Sequence, residues 1–224
     1  MISINRKEMA KVLVKFLKEK YGDVAKKHSS RNKTVFQTLI ACVLSQRTKD
    51  RNTAKAVERL FSMADTPEKI VKVPVKKLEK LIRVSGPYRQ KAKRIKEISR
   101  IILEKYEGKV PKDREELMKL PGVGFKTADI TLSYGFGIPT IAVDTHVNRI
   151  SKRIGFVEQE AGVEDVRKTL ESLIHGNDRF VVNIGLVKFG QEICNPIRPR
   201  CSKCEITKIC SYYRDHHVPN KKSR

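Results

Sequence analysis

Four cysteines, Cys194, Cys201, Cys204 and Cys210, follow the spacing C-x6-C-x2-C-x5-C. In a reducing compartment a group so tightly spaced reads as metal ligands before it reads as disulfides. A structural zinc site normally uses two close Cys-x2-Cys pairs, and only Cys201 and Cys204 form one here. Four thiolates wrapped within one short span suit a cubane iron-sulfur cluster better, with zinc as the weaker alternative. Arg198, Arg200, Lys203 and Lys208 stand among the cysteines. Ligation would hold these side chains as a rigid cationic surface suited to phosphate. The fifth cysteine, Cys42, lies in the apolar run from Leu39 to Leu44 and reads as a core thiol.

The second chemically suggestive stretch begins at Pro111. Asp113 can cap a helix there, with Glu116 three residues on as in a capping box and Leu117 and Leu120 facing inward. The helix stops at Pro121, Gly122-Val123-Gly124 turns the chain, and the segment from Phe125 to Leu132 starts another helix. The spacing predicts a helix-hairpin-helix over about 113–133. Glycine at 122 and 124 lets backbone approach a phosphate, and the following helix offers unpaired N–H groups and the positive end of its dipole. Such a loop holds a nucleic acid backbone without reading its sequence. A nucleotide-binding P-loop is excluded, since that pattern needs glycine directly before the lysine, where Phe125 stands, and a preceding strand. The alternative is an ordinary tight helix turn with an exposed lysine, Lys126. Farther on, Asp144 follows the apolar run Ile141-Ala142-Val143 and could simply cap the next helix.

These residues must be carried by helices. Apolar residues recur at helical spacing through Val12, Leu13, Phe16 and Leu17, through Ala54, Val57, Leu60 and Phe61, through Ala92, Ile95, Ile98 and Ile102, and through Val166, Leu170 and Leu173. Sustained alternation of period two is absent, and Gly- or Pro-containing breaks separate the segments. The expected fold class is all-α, with only the tail from His216 to Arg224 frayed. The 224 residues carry 48 Lys and Arg against 25 Asp and Glu, a formal net charge of +23, which points to a polyanionic partner. The charge is concentrated: twelve basic residues against two acids from Lys69 to Arg100, and nine against three from Leu186 to Arg224, which implies two basic lobes. Solvated helix faces are the competing explanation for either lobe alone. The longest clean apolar run is far below the ~20 residues of a bilayer span. The N-terminal residues show neither signal-peptide nor transit-peptide character, so the expected location is cytoplasmic and nucleoid-associated.

The stretch from Leu120 to Ala128, followed by Pro139-Thr140-Ile141-Ala142-Val143-Asp144-Thr145-His146, resembles the endonuclease III family of helix-hairpin-helix DNA glycosylases, and the resemblance extends from about Thr34 to Cys210. It implies a Schiff-base lysine at Lys126, a catalytic aspartate at Asp144, and a 4Fe-4S cluster on Cys194, Cys201, Cys204 and Cys210. It further implies two helical domains flanking a DNA-binding cleft that holds Lys126 and Asp144. One is a six-helix domain at 29–138 that contains the hairpin. The other is a cluster domain built from 1–28 and 139–224, with its loop at 194–210. A base inside a duplex must be flipped out before such chemistry, and the gap must be filled. By resemblance, the fillers come from Leu44–Asp50, carrying Gln46 and Arg47, and from Ser85–Lys91, carrying Pro87 and Tyr88. Arg47 occupies the position where the family commonly has glutamine, so which residue enters the stack stays open. Gly122, Gly124, His146, Arg198 and Arg200 complete the expected DNA contacts. The expected partner is duplex DNA with damaged bases or abasic sites, bound by a monomer that associates with no membrane. The implied activity is removal of oxidised pyrimidines followed by β-elimination at the abasic site. The alternatives are a uracil/thymine mismatch glycosylase, whose relatives usually carry Ser or Tyr at the lysine position, and a non-catalytic iron-sulfur DNA-binding module.

Overall fold

The computed structural model describes residues 5–29 and 33–218, with side chains of 25–29 excepted; Met1–Ile4 and the tail beyond Val218 lie outside them. Every regular element among the described residues is helical. The chain divides into two compact units, one formed by Met1–Arg31 with Pro139–Arg224 and the other by Asn32–Ile138. Among the described residues no helix is long and apolar enough to cross a membrane.

The 32–138 unit contains α2 (Val35–Ser45), α3 (Asp50–Phe61), α4 (Pro67–Lys72), α5 (Val75–Leu81), α6 (Tyr88–Tyr106), α7 (Arg114–Met118) and α8 (Phe125–Ile130). α2 starts on a reciprocal capping box. The Thr34 hydroxyl accepts from the Gln37 N–H at 3.2 Å, and the Gln37 side chain accepts from the Thr34 N–H at 3.2 Å. Leu39, Ile40, Val43 and Leu44 then bury completely, so α2 is the central strut. α6 turns Ala92, Ile95, Ile98 and Ile102 onto the same core at helical spacing. α8 passes directly into a π-helical turn, Thr131–Gly135, which packs on α2. A β-carbon on Gly135 would sit 3.1 Å from the Val35 side chain, so glycine permits that approach.

The other unit contains α1 (Arg6–Ser29), α9 (Thr145–Ile154), α10 (Val163–Leu173), α11 (Asp178–Glu192) and α12 (Ser211–His217), with short 3-10 turns at Cys201–Lys203 and Thr207–Ile209. α1 lies along α11. Phe16 meets Phe189 edge-on at 5.3 Å between ring centroids, and Leu13, Leu17, Val182 and Leu186 fill the seam. α9 ends at Gly155, whose φ of 97° suits the left-handed cap, and a β-carbon there would meet the Ser211 hydroxyl oxygen at 2.5 Å.

Two local expectations are corrected. The tail expected to fray at His216 is helical through His217, where Tyr212 stacks on His216 at 4.2 Å. Glu116 does not close a capping box with Asp113. Its carboxylate instead accepts from the Tyr106 hydroxyl at 2.7 Å and pairs with Lys105 and Lys119. Asp113 still caps α7, its Oδ1 accepting from the N–H groups of Glu115 and Glu116 at 2.9 and 3.0 Å.

The hairpin helices are joined by a buried ion pair. Arg114, at the start of α7, donates through Nε to Asp129 Oδ1 at 2.7 Å and through Nη2 to Oδ2 at 3.0 Å. The Asp129 side chain is 2% exposed and that of Arg114 21%. Asp129→Ala leaves a mostly buried guanidinium without its carboxylate, so it should destabilise the protein by about 3 kcal/mol in denaturant-induced unfolding. Stability unchanged in Asp129→Ala would mean that water replaces the carboxylate.

Candidate nucleic-acid interface and thiol centre

At the hairpin tip the chain leaves α7, closes a turn from the Val123 N–H to the Leu120 carbonyl at 3.1 Å, and re-enters helix at Phe125. Gly122 has φ 77°, and a β-carbon there would lie 2.8 Å from Arg94 Cδ. Gly124 has φ −103°, meets nothing within 4 Å, and leaves the first turn of α8 without a side-chain cap. Lys126, in that turn, is exposed, whereas Thr127, Ala128 and Asp129 bury beneath it. The Cys42 thiol is pushed up to about 12 by burial, with the nearby Lys126 ammonium opposing the shift. The apolar run suggests a core thiol, but Cys42 is half-buried, on the side of α2 away from the fully buried Leu39, Ile40, Val43 and Leu44.

The two candidate gap-filling segments adjoin the hairpin within the same unit. Gln46 Nε2 donates to the Gly122 carbonyl at 2.8 Å and to the Thr127 hydroxyl at 3.2 Å. Arg47 is exposed, with φ 50°, a conformation costly for a side chain with a β-carbon. The segments touch at Gly86, whose φ is 69° and whose added β-carbon would lie 2.7 Å from the Arg47 carbonyl oxygen. Tyr88 is half-buried against the core beneath the Arg89 guanidinium, while Pro87 is exposed.

Asp144 belongs to the other unit. Its Oδ1 accepts from the N–H groups of His146 and Val147 at 2.8 and 2.9 Å, so it caps α9. The extended segment before it is pinned from α10 and α11. Asn183 accepts from the Ala142 N–H and donates to the Thr140 carbonyl, Glu171 accepts from the Ile141 N–H, and Arg179 donates to the Pro139 carbonyl, all at 2.8–2.9 Å. Sequence reasoning missed Asn183. Its only signal was a buried-face asparagine within an apolar helix. His146 is half-buried against Gly190, with Nδ1 3.1 Å from Arg149 Nη2.

Cys194, Cys201, Cys204 and Cys210 line a single cavity whose wall is completed by Ile150, Ile154, Phe189 and Ile206. Burial pushes the Cys204 thiol up to about 11, and Cys201 and Cys210 in the same direction, with neighbouring cysteines adding to each shift. Arg153 organises the rim. It donates to Cys194 Sγ at 3.3 Å and to the Asn195 and Pro196 carbonyls at 2.7 and 2.9 Å. Its own carbonyl accepts from the Cys210 thiol at 3.4 Å. Arg149 adds a bond to the Cys194 carbonyl at 2.8 Å. Among the described residues no three or more His, Cys, Asp or Glu side chains converge as ligands of a single metal ion. Arg198, with φ 51°, and Arg200 are exposed beside this centre, as are Lys203 and Lys208.

A family model described as the HhH-GPD superfamily of base excision DNA repair proteins matches residues 40–175. The chain belongs to that superfamily. An endonuclease III of Thermotoga maritima is 49% identical over 179 residues, which cover 80% of this chain and 84% of the relative. Among solved structures, a trapped endonuclease III–DNA covalent intermediate superposes with a TM-score of 0.84 at 36% identity. It covers 95% of this chain and 99% of that one. A thermostable thymine-DNA glycosylase gives 0.81 at 27% identity, covering 93% and 98%.

The two hairpin glycines of this HhH-GPD protein should separate in mutagenesis. Gly122→Ala combines a left-handed φ with a close approach to Arg94 and should cost about 1–2 kcal/mol in unfolding. Gly124→Ala meets neither obstacle and should remain within about 0.5 kcal/mol of the parent. Any DNA affinity lost in Gly124→Ala would then report phosphate approaching that backbone.

Proposed function

We infer that the protein is a bifunctional base-excision enzyme, a DNA glycosylase and abasic-site lyase acting on oxidised pyrimidines in duplex DNA, with Lys126 as nucleophile and Asp144 as the catalytic carboxylate. The observation that carries this reading is the exposed lysine in the first turn behind an uncapped Gly-Val-Gly hairpin, in a chain 49% identical to an endonuclease III. A lysine at that position distinguishes a lyase from a simple glycosylase. The neutral amine attacks the anomeric carbon of the damaged nucleotide as the bond to the base breaks, and the sugar ring opens to an imine. The imine acidifies the adjacent C–H, and loss of that proton expels the 3′ phosphate by β-elimination. Asp144 offsets the positive charge that develops on the sugar and serves in proton transfer. Its role as cap of α9 holds the carboxylate in one orientation.

Arg47 is the better candidate to enter the stack, because it is exposed in a costly backbone conformation whereas Gln46 is engaged with the hairpin. Pro87 and Tyr88 would approach from the second segment, with His146, Arg198 and Arg200 as phosphate or base contacts. The hairpin backbone at Gly122 and Gly124 would hold the DNA strand. Such an enzyme would work beside the DNA, in the cytoplasm and associated with the nucleoid.

The four cysteines fit a 4Fe-4S cluster. Their soft donors line one apolar-walled cavity. A structural zinc site favours two Cys-x2-Cys pairs, of which this chain has one, Cys201 and Cys204. Such a cluster would brace the Arg198–Arg200 loop; Arg153 already holds the Cys194–Pro196 backbone from α9.

The decisive experiment is borohydride reduction with abasic duplex DNA. The parent should form a covalent adduct, and Lys126→Gln should lose it while retaining DNA binding; trapping that survives in Lys126→Gln moves the nucleophile elsewhere. Asp144→Asn preserves the cap, since asparagine caps equally well. It should slow excision of thymine glycol by about 100-fold or more yet leave cleavage of a preformed abasic site less affected. Equal loss on both substrates would reduce Asp144 to a structural cap. Metal analysis should find about four irons per chain and a brown colour, both lost in Cys201→Ser. A colourless protein with one zinc would overturn the cluster.

A further inference from the structure

Lys91 belongs to the basic stretch that the sequence assigns to a charged surface, but it is 1% exposed. Its ammonium donates to the Leu44 carbonyl at 2.6 Å, to the Thr48 hydroxyl at 2.7 Å and to the Ser85 carbonyl at 2.5 Å. An ammonium has three donors and no acceptor, so these three partners use it completely. The three partners come from the last turn of α2, the segment carrying Gln46 and Arg47, and the segment carrying Pro87 and Tyr88. Thr48 extends the joint by donating to the Ser85 carbonyl at 2.8 Å.

We propose that Lys91 is a positioning residue for base flipping: its buried ammonium locks the Ser45–Lys49 and Ser85–Tyr88 segments into one rigid wedge that presents Arg47 and Pro87 to the DNA stack. This rests on the enzymatic reading above. Burying an ammonium is costly even when it is paired, and an apolar residue would stabilise a core more simply. What the ammonium supplies is a fixed geometry between segments that otherwise meet only through short loops. The Leu44 carbonyl is an end group that α2 leaves unmatched, and the Ser85 carbonyl lies in the connection between α5 and α6. The α2 carbonyl also lies at the negative end of its helix dipole, which favours a cation there. Burial lowers the Lys91 pKa to about 8, with Arg94 adding to the shift. The joint continues to the DNA-holding hairpin, because Gln46 donates to the Gly122 carbonyl and Arg94 packs against the same glycine. The wedge and the hairpin are thus registered to each other through adjacent side chains of one unit.

A wedge is needed only when a base must leave a paired stack, and the test uses that difference. Lys91→Met keeps length without the charge, and Thr48→Val removes one ammonium partner while keeping shape. Single-turnover excision of thymine glycol from a fully paired duplex is compared with cleavage of an abasic site in a single strand, with 2-aminopurine beside the lesion reporting unstacking. Lys91→Met should lose about 10–100-fold on the paired lesion and most of the fluorescence change, as misplaced groups commonly do. Abasic single-strand cleavage and borohydride trapping should stay within about twofold. Thr48→Val should change in the same direction by a smaller factor, and it carries the test if Lys91→Met does not fold. Equal losses on both substrates, or unchanged paired-lesion excision, would overturn the proposal. If the parent protein itself traps no abasic DNA, the enzymatic reading fails and takes this inference with it; trapping by the parent confines any failure to the role of Lys91.

Discussion

Short helices leave many unmatched backbone groups, and this chain depends on what satisfies them. Each helix end leaves four N–H or four C=O groups without intrahelical partners. Thr34, Thr66, Asp113 and Asp144 cap their helices with side-chain oxygens. Gly124 provides none for α8. The starts of α3, α5, α6, α11 and α12 likewise have no side-chain cap, but at the hairpin tip the open start lies beside the exposed Lys126, where an incoming phosphate could supply the acceptor. At α9, by contrast, the cap is itself the candidate catalytic carboxylate. Structural capping and reactive chemistry are compatible there, because one oxygen receiving two N–H groups fixes how the carboxylate is aimed.

Buried charge is used both in the hairpin and between the two candidate gap-filling segments, in each case with oxygen partners close by. Arg114 and Asp129 form a forked pair between α7 and α8, and Lys91 is surrounded by three oxygens. Ion pairs and buried ammonium groups contribute little net stability compared with apolar packing, because desolvation offsets most of the attraction. They do define geometry: a slip in either segment would leave a desolvated charge unpaired. That property suits a surface which must meet DNA in a fixed register.

The thiol centre follows similar logic with neutral groups. Burial pushes the Cys201, Cys204 and Cys210 thiols up, and because a metal takes thiolates as ligands, its binding would release protons. Arg153 ties the Cys194–Pro196 segment to α9, whose first residue follows Asp144. One short helix therefore connects the thiol centre to the candidate carboxylate.

The sequence by itself determined the helical class, the hairpin with Lys126 behind its glycines, the cysteine set and the strongly basic character. These are local or additive properties: period, spacing and charge can be read along one chain. It also placed Asp144 as a cap. Several other assignments required the tertiary structure. Glu116 has the spacing of a capping box but turns to Tyr106, a partner on another helix. Gln46 and Arg47 are adjacent and polar, and only the hairpin's position engages one and exposes the other. Lys91 reads as one more surface lysine until Leu44, Thr48 and Ser85 converge on it, and Asn183 reads as a weak helix residue until the segment before Asp144 lies against it. In each case a polar side chain's role is set by which distant backbone groups would otherwise be buried without a partner, and that depends on how the segments pack, which no local spacing records.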